Sequence, residues 1–378
     1  MSIDISRRAM LGAAGIGTAA AMSGAGQAMA AAASAAAPAT ASFFGPGPNV
    51  AQLSRNENPY GPAPSAISAM SQCATTGCYY AGTAFNHLVD MIAERFAVGR
   101  DQVVLASGST EVLSAAILAY MDKGVVLAPE LFWDTTVKYG VAKGAKVKSV
   151  PLAADMAIDL DGMAAAYGPD VGMIHICNPN NPTGMVLDGD KLRAFIKQVP
   201  ASTIVLVDEA YNELTDRPEY SSVSALVKDH PNLIVCRTFS KIYGMAGLRV
   251  GYAITSPEIA KKIASYTMGF GANAMGLAAA IASYNDTAFT TFSKNKVVEA
   301  RQILMDATKG LGLKVLPSQT NFLFVQVPDA NVVQKAMAAK GIMIRGAYGK
   351  WTNWSRVSTG KIEDVQRYAL ALPEVLKA

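Results

Sequence analysis

From about residue 100 to 255, short apolar runs alternate with longer amphipathic stretches. "QVVLAS" (102–107) leads into "TEVLSAAILAYM", and "GVVLAPE", "VGMIHICNPNNPTG", "STIVLVDEAY" and "LIVCRTFSK" follow in turn. Short β-branched runs bounded by turn residues and separated by helical periods predict βαβ units. The fold class is therefore α/β, with a large domain built on a mainly parallel sheet flanked by helices. Toward the C-terminus the texture changes. "AFTTFSKNKVVEARQILMDATKGLG" predicts one long helix, "FLFVQV" a strand, "NVVQKAMAAKG" a helix and "SRVSTG" a strand. These predict a smaller α+β domain formed by both chain ends, residues 46–78 and 270–378, with the large domain at 79–269. No internal repeat is present.

In an open parallel sheet, ligands gather beyond the carboxyl ends of the strands. The polar clusters fall where those ends are predicted: Ser107 to Glu111, Asn178 to Gly184, Asp208 to Tyr211, and Thr238 to Lys241. "SGSTE" opens a predicted helix, whose first backbone N–H groups favour a phosphate. Thr238, Ser240 and Arg249 add donors, although a helix cap and a surface ion pair explain such residues equally well when taken singly. Asp208 follows four apolar residues, where a carboxylate is costly unless it meets a cation or strong donor. A pyridinium nitrogen satisfies it, and so does a plain capping role. Asn181 and Tyr211 are placed to hydrogen-bond a ring oxygen. Lys241 lies between Ser240 and "IYGMAGLR"; partial burial and a nearby cation lower an amine's pKa and make it a nucleophile.

Composition narrows the class. The chain has 378 residues, 51% hydrophobic and 16% charged, enough for one large or two modest globular domains. The net charge of +4 falls to +3 once Asp4, Arg7 and Arg8 are set aside with the N-terminal segment, which is no footprint for nucleic acid or an anionic membrane. No Cys or His stands in a zinc-type spacing, so no metal is expected. Cys73 and Cys78 leave open either a small disulfide loop or unpaired thiols.

"ISRRAMLGAAGIGTAAAMSGAGQAMA" has paired arginines, a weakly apolar stretch and small residues around Ala28 and Ala30. It resembles a twin-arginine export signal. Residues 1–30 are read as that signal and 31–45 as a disordered leader, which places the mature protein in the periplasm without a stable membrane anchor.

"TFSKIYGMAGLR", "CNPNNPTG", "VDEAY" and "SRVSTG" together resemble the class I/II aminotransferases among the fold-type-I pyridoxal-phosphate enzymes. "LSRNENPYGPAPSAI" is similar to their histidinol-phosphate aminotransferase branch, and the blocks run in family order over residues 50–378. The resemblance implies pyridoxal 5'-phosphate as cofactor and ping-pong transfer of an amino group between an amino acid or related amine and a 2-oxo acid. It implies that Lys241 forms the Schiff base and moves the proton at Cα. Asp208 would pair with the pyridine nitrogen, and Asn181 and Tyr211 with the phenolic oxygen. Ser109, Thr110, Thr238, Ser240 and Arg249 would form the phosphate cup, and Phe132, with Trp133 next to it, would stack on the ring. Tyr80 would reach the phosphate of a neighbouring subunit, which implies a homodimer with shared sites. Arg356 would grip the substrate carboxylate and Arg345 a distal phosphate. A decarboxylase, lyase or racemase uses the same scaffold, and a non-catalytic binding protein could keep the cup without needing Lys241, Asp208 and Arg356 together.

Overall fold

The computed structural model describes residues 44–269 and 271–377. The expected export signal, and the leader as far as residue 43, lie outside the described residues. Among the described residues no helix is long and apolar enough to cross a membrane. Contacts divide the chain into residues 1–48 and Asn49–Ala378; in the first, Phe44 to Pro48 form a bend and a turn.

The second unit carries the strands β1 (Ala51–Gln52), β2 (Val103–Ala106), β3 (Val125–Pro129), β4 (Val147–Val150), β5 (Val171–Cys177) and β6 (Ile204–Asp208). Then follow β7 (Leu233–Thr238), β8 (Gly251–Ile254), β9 (Phe322–Gln326), β10 (Ile342–Met343) and β11 (Trp354–Ser358). Seven of them form one sheet in the order β2-β8-β7-β6-β5-β3-β4. β3 to β7 run parallel, and β8 alone runs against its neighbours β2 and β7. The carboxyl ends of β2, β5, β6 and β7 therefore share one rim.

Both faces of this sheet are apolar because side chains alternate along each strand. Val205, Val207 and Val235 face one buried cluster with Leu192, Phe195 and Leu277. Leu206, Ile234 and Cys236 face the other with Val112, Ile117 and Ile263. A continuous apolar run with helices on both sides is what a doubly covered parallel sheet requires.

The packing draws the domain boundary differently from the expected limits at 78 and 270. Helix Pro64–Cys73 and helix Ala274–Tyr284 contribute Ala66, Leu277, Ala279 and Ala280 to the core beneath the main sheet. Their small side chains permit close packing but give no sign in sequence of which sheet they cover. The smaller core gathers Leu304, Leu323, Val325, Met337, Val357 and Tyr368 around the antiparallel pair β9–β11. Helix Thr287–Gly310 joins the two, with Phe289 and Val297 in the larger core and Ala300 and Leu304 in the smaller. Cys73 and Cys78 are free thiols.

Candidate active site

The rim of the main sheet opens into a cavity of about 550 Å³. Ser109, Thr110, Phe132, Asn181, Asp208, Tyr211, Thr238, Ser240, Lys241, Arg249, Arg345 and Arg356 all line it. Twelve residues chosen from separate motifs thus meet in one place. Tyr80 does not. It is 85% exposed and lines a second cavity of about 300 Å³ with Phe85 and Met268.

One end of the cavity collects groups suited to a phosphate. Ser109 opens the helix Ser109–Tyr120 directly after β2, so that backbone N–H groups and hydroxyls of its first turn face the space. Gly108, at φ +81°, makes this turn possible, since a Cβ there would lie 2.1 Å from the Arg249 guanidinium. Arg249 is anchored through Nη1 to the Ala246 carbonyl at 2.9 Å and through Nη2 to the Ser107 carbonyl at 3.4 Å. Thr238 Oγ1 donates to Ser240 Oγ at 2.9 Å and accepts from the Ser240 N–H at 3.1 Å. The result is a group of hydroxyl, backbone N–H and guanidinium donors at one end of the cavity, which matches an anion.

Asp208 ends β6 between Cys177 on β5 and Cys236 on β7. It is 4% exposed and accepts the Ala210 N–H at 3.1 Å, and burial pushes its carboxyl up to about 6 despite opposing pulls from that N–H and Lys241. A buried acid at a cavity wall that makes no direct ion pair among the described residues fits a protonated ring nitrogen. Burial, with Arg356 adding repulsion, pushes the Lys241 amine down to about 8, against the pull of Asp208. The Lys241 ammonium donates to the Asn56 carbonyl at 3.3 Å.

On the far side a relay crosses the cavity. Arg356 Nη1 donates to Asn181 Oδ1 at 2.7 Å, and Asn181 Nδ2 donates to the Tyr211 hydroxyl at 3.4 Å. Arg356 Nη2 holds the Ser54 carbonyl at 2.7 Å, while its Nε is buried without a partner among the described residues. Arg345 faces Arg356 across an antiparallel bridge, their backbones bonded at 3.0 and 3.2 Å. Phe132 is buried and meets the His175 ring edge-on at 5.1 Å; Trp133 also lines the cavity. Sequence reasoning missed Asn56, Ser54, Tyr348 and Trp351, which line the same space. Asn56 is 185 positions from Lys241, and no spacing rule links them.

Residues 48–372 match the family model for aminotransferase class I and II. Histidinol-phosphate aminotransferase 1 of Dechloromonas aromatica is 36% identical over 331 residues, which is 86% of this chain and 90% of the relative. Histidinol-phosphate aminotransferase of Moorella thermoacetica is 33% identical, over 87% of this chain and 86% of its own. The crystal structure of histidinol-phosphate aminotransferase from Sinorhizobium meliloti, in complex with pyridoxal-5'-phosphate, superposes with a TM-score of 0.80. It is 30% identical, covering 86% of this chain and 90% of that one. A family match over most of the chain and relatives above 30% identity agree with the cavity's donor set: the chain belongs to the class I and II aminotransferases, the pyridoxal-phosphate-dependent transaminases.

Proposed function

We propose that this enzyme transfers the amino group of a donor carrying a strongly anionic group to a 2-oxo acid, with Lys241 as the covalent anchor of its pyridoxal phosphate. The observation that carries the donor class is the Arg345–Arg356 pair. Like charges directly opposite on paired strands repel, and neither guanidinium meets a carboxylate among the described residues. An anionic substrate relieves that repulsion; histidinol phosphate, named in the relatives above, belongs to this class.

Pyridoxal phosphate, when bound, supplies an electron sink for the bond broken at the donor's Cα. The chain's residues do the rest. Ser109, Thr110, Thr238, Ser240 and Arg249 would hold its phosphate, and Phe132 would line the space for its ring. Asp208 would keep a proton on the ring nitrogen. Asn181 and Tyr211 would donate to the phenolic oxygen. Arg356 and Arg345 orient the donor, and Lys241, whose amine titrates near 8, takes and returns the proton at Cα. As part of the same reading, Tyr80 completes the phosphate cup of a second copy in a homodimer. The twin-arginine pattern at Arg7 and Arg8 supports export to the periplasm.

A visible absorbance spectrum of the purified protein tests this. The expected result is a yellow band that bleaches with an anionic amino donor, returns with a 2-oxo acid, and is missing in Lys241→Ala. A wild type that takes up no pyridoxal phosphate overturns the proposal. Carbon dioxide release or racemisation without a 2-oxo acid product would move it to a decarboxylase or racemase.

A further inference from the structure

Asn56 lines the cavity with all of its polar groups engaged, yet it carries none of the roles above. It is 1% exposed and sits at φ +56°, a backbone region that non-glycine residues rarely adopt. Each of its polar groups has a partner. Its N–H donates to Ser358 Oγ at 2.9 Å, and that hydroxyl donates back to Asn56 Oδ1 at 2.7 Å. Its carbonyl accepts from Asn321 Nδ2 at 2.9 Å and from Lys241 Nζ at 3.3 Å. Its Nδ2 donates to the Tyr211 hydroxyl at 3.0 Å.

The last bond fixes a direction. The Tyr211 oxygen accepts from Asn56 Nδ2 and more loosely from Asn181 Nδ2 at 3.4 Å. A phenol has one proton. With both amides donating, that proton points away from them and into the cavity. Turning the Asn56 amide over would put Nδ2 where Oδ1 now accepts the Ser358 hydroxyl proton, so that proton would lose its partner and face a donor. Ser358 thus sets the amide's orientation, and the amide sets that of the phenol.

We infer that Asn56 is a positioning residue that orients the Tyr211 proton toward the cofactor's phenolic oxygen while its carbonyl holds the Lys241 ammonium. This rests on the cofactor reading of Lys241 above. In this left-handed backbone conformation the carbonyl reaches the lysine and the side chain reaches the tyrosine.

Asn56→Gly separates the two tasks. Glycine adopts φ +56° freely and keeps the carbonyl, so only the bond to Tyr211 and the loop to Ser358 are lost. The readouts are the pH midpoint of the visible band in the loaded enzyme and the pyridoxal phosphate affinity of the stripped protein, followed by quenching of tryptophan fluorescence. They are measured for wild type, Asn56→Gly, Tyr211→Phe and the double variant. The expected result is a midpoint raised by about half a pH unit or more and affinity lowered about threefold or more in Asn56→Gly, with no further change when Tyr211→Phe is already present. Additive effects in the double variant overturn the inference, because a structural role acts whether or not the phenol exists. If Asn56→Gly is isolated unfolded, Asn56→Ala carries the same cycle. It also removes the amide without adding a charge, so its effect on midpoint and affinity should vanish in Tyr211→Phe, and persistence overturns the inference. A wild type lacking the visible band sinks the cofactor reading itself, which is a different outcome from a normal band with additive variants.

Discussion

At the scale of single residues, the site places charges where an empty protein does not want them. Asp208 is the clearest case. Its folded pKa of about 6 lies above the usual carboxylate value, so the folded protein binds this proton more tightly than the unfolded chain. The stability that protonation contributes is present at low pH and is lost as pH rises through the range from about 4 to 6. At neutral pH the cofactor-free protein therefore carries a buried, poorly compensated carboxylate. Asp208→Asn removes the charge and can still accept the Ala210 N–H. The variant should melt at least about 2 °C higher than wild type at pH 7.5 when both are free of cofactor. The gap should close toward pH 4, where the wild-type acid is protonated too. Pyridoxal phosphate affinity should fall in the same variant. Calorimetric scans across pH would check the first part, and an Asn variant that is never more stable would show that the strain lies elsewhere. Gly108 illustrates the other kind of residue-scale constraint: there the backbone is chosen to admit the Arg249 guanidinium.

At the scale of elements, the ends of β6 and β7 must hold Asp208, Thr238 and Lys241 in fixed relation, and a buried ion network beside them does this. Arg237, on β7, bonds Glu209 through Nε at 2.9 Å and Nη2 at 2.7 Å, and Glu213 through Nη1 at 2.9 Å. Glu209 is fully buried and also accepts from the Val223 N–H at 2.7 Å and from Ser222 Oγ at 2.8 Å. Removing the arginine strands a carboxylate in the core, so Arg237→Met should lose about 3–5 kcal/mol of stability, read by chemical denaturation. Glu209→Gln should lose stability too, because its amide keeps one acceptor oxygen and turns the other into an NH2 facing a donor, although Arg237 retains Glu213 as its counter-ion. The sequence made the elements legible and the network illegible. Continuous apolar runs such as "IVLVD" and "LIVCRT" announce strands because burial on both faces demands apolar residues, and the long helix Thr287–Gly310 is readable from its period. Glu209 and Arg237 read as ordinary polar residues of "VDEAY" and "CRTFSK", since nothing local says that a charge just past β6 and one on β7 share a dry space. The helices of small residues gave no sign of which core they join, for the same reason.

For the whole molecule, the question is whether one chain completes its own site. Most of the site was legible because the family's motifs sit at strand ends that topology brings to one rim, but Tyr80 lies outside the cavity of its own chain. Under the dimer reading, each site takes Lys241 from one copy and Tyr80 from the other. Subunit mixing decides this without a structure of the assembly. Lys241→Ala should be inactive, and Tyr80→Ala, stripped of a phosphate partner, should be severely impaired at limiting pyridoxal phosphate. Unfolding and refolding an equal mixture gives hybrids in which both defects fall in one site and the other site is intact. Random pairing then restores about a quarter of wild-type activity, since half the dimers are hybrids with one good site each. If Tyr80 instead served its own chain, every site in a hybrid would carry one defect, and mixing would restore nothing. The two arrangements thus differ by presence or absence of activity, and the test needs only that each parent be weak.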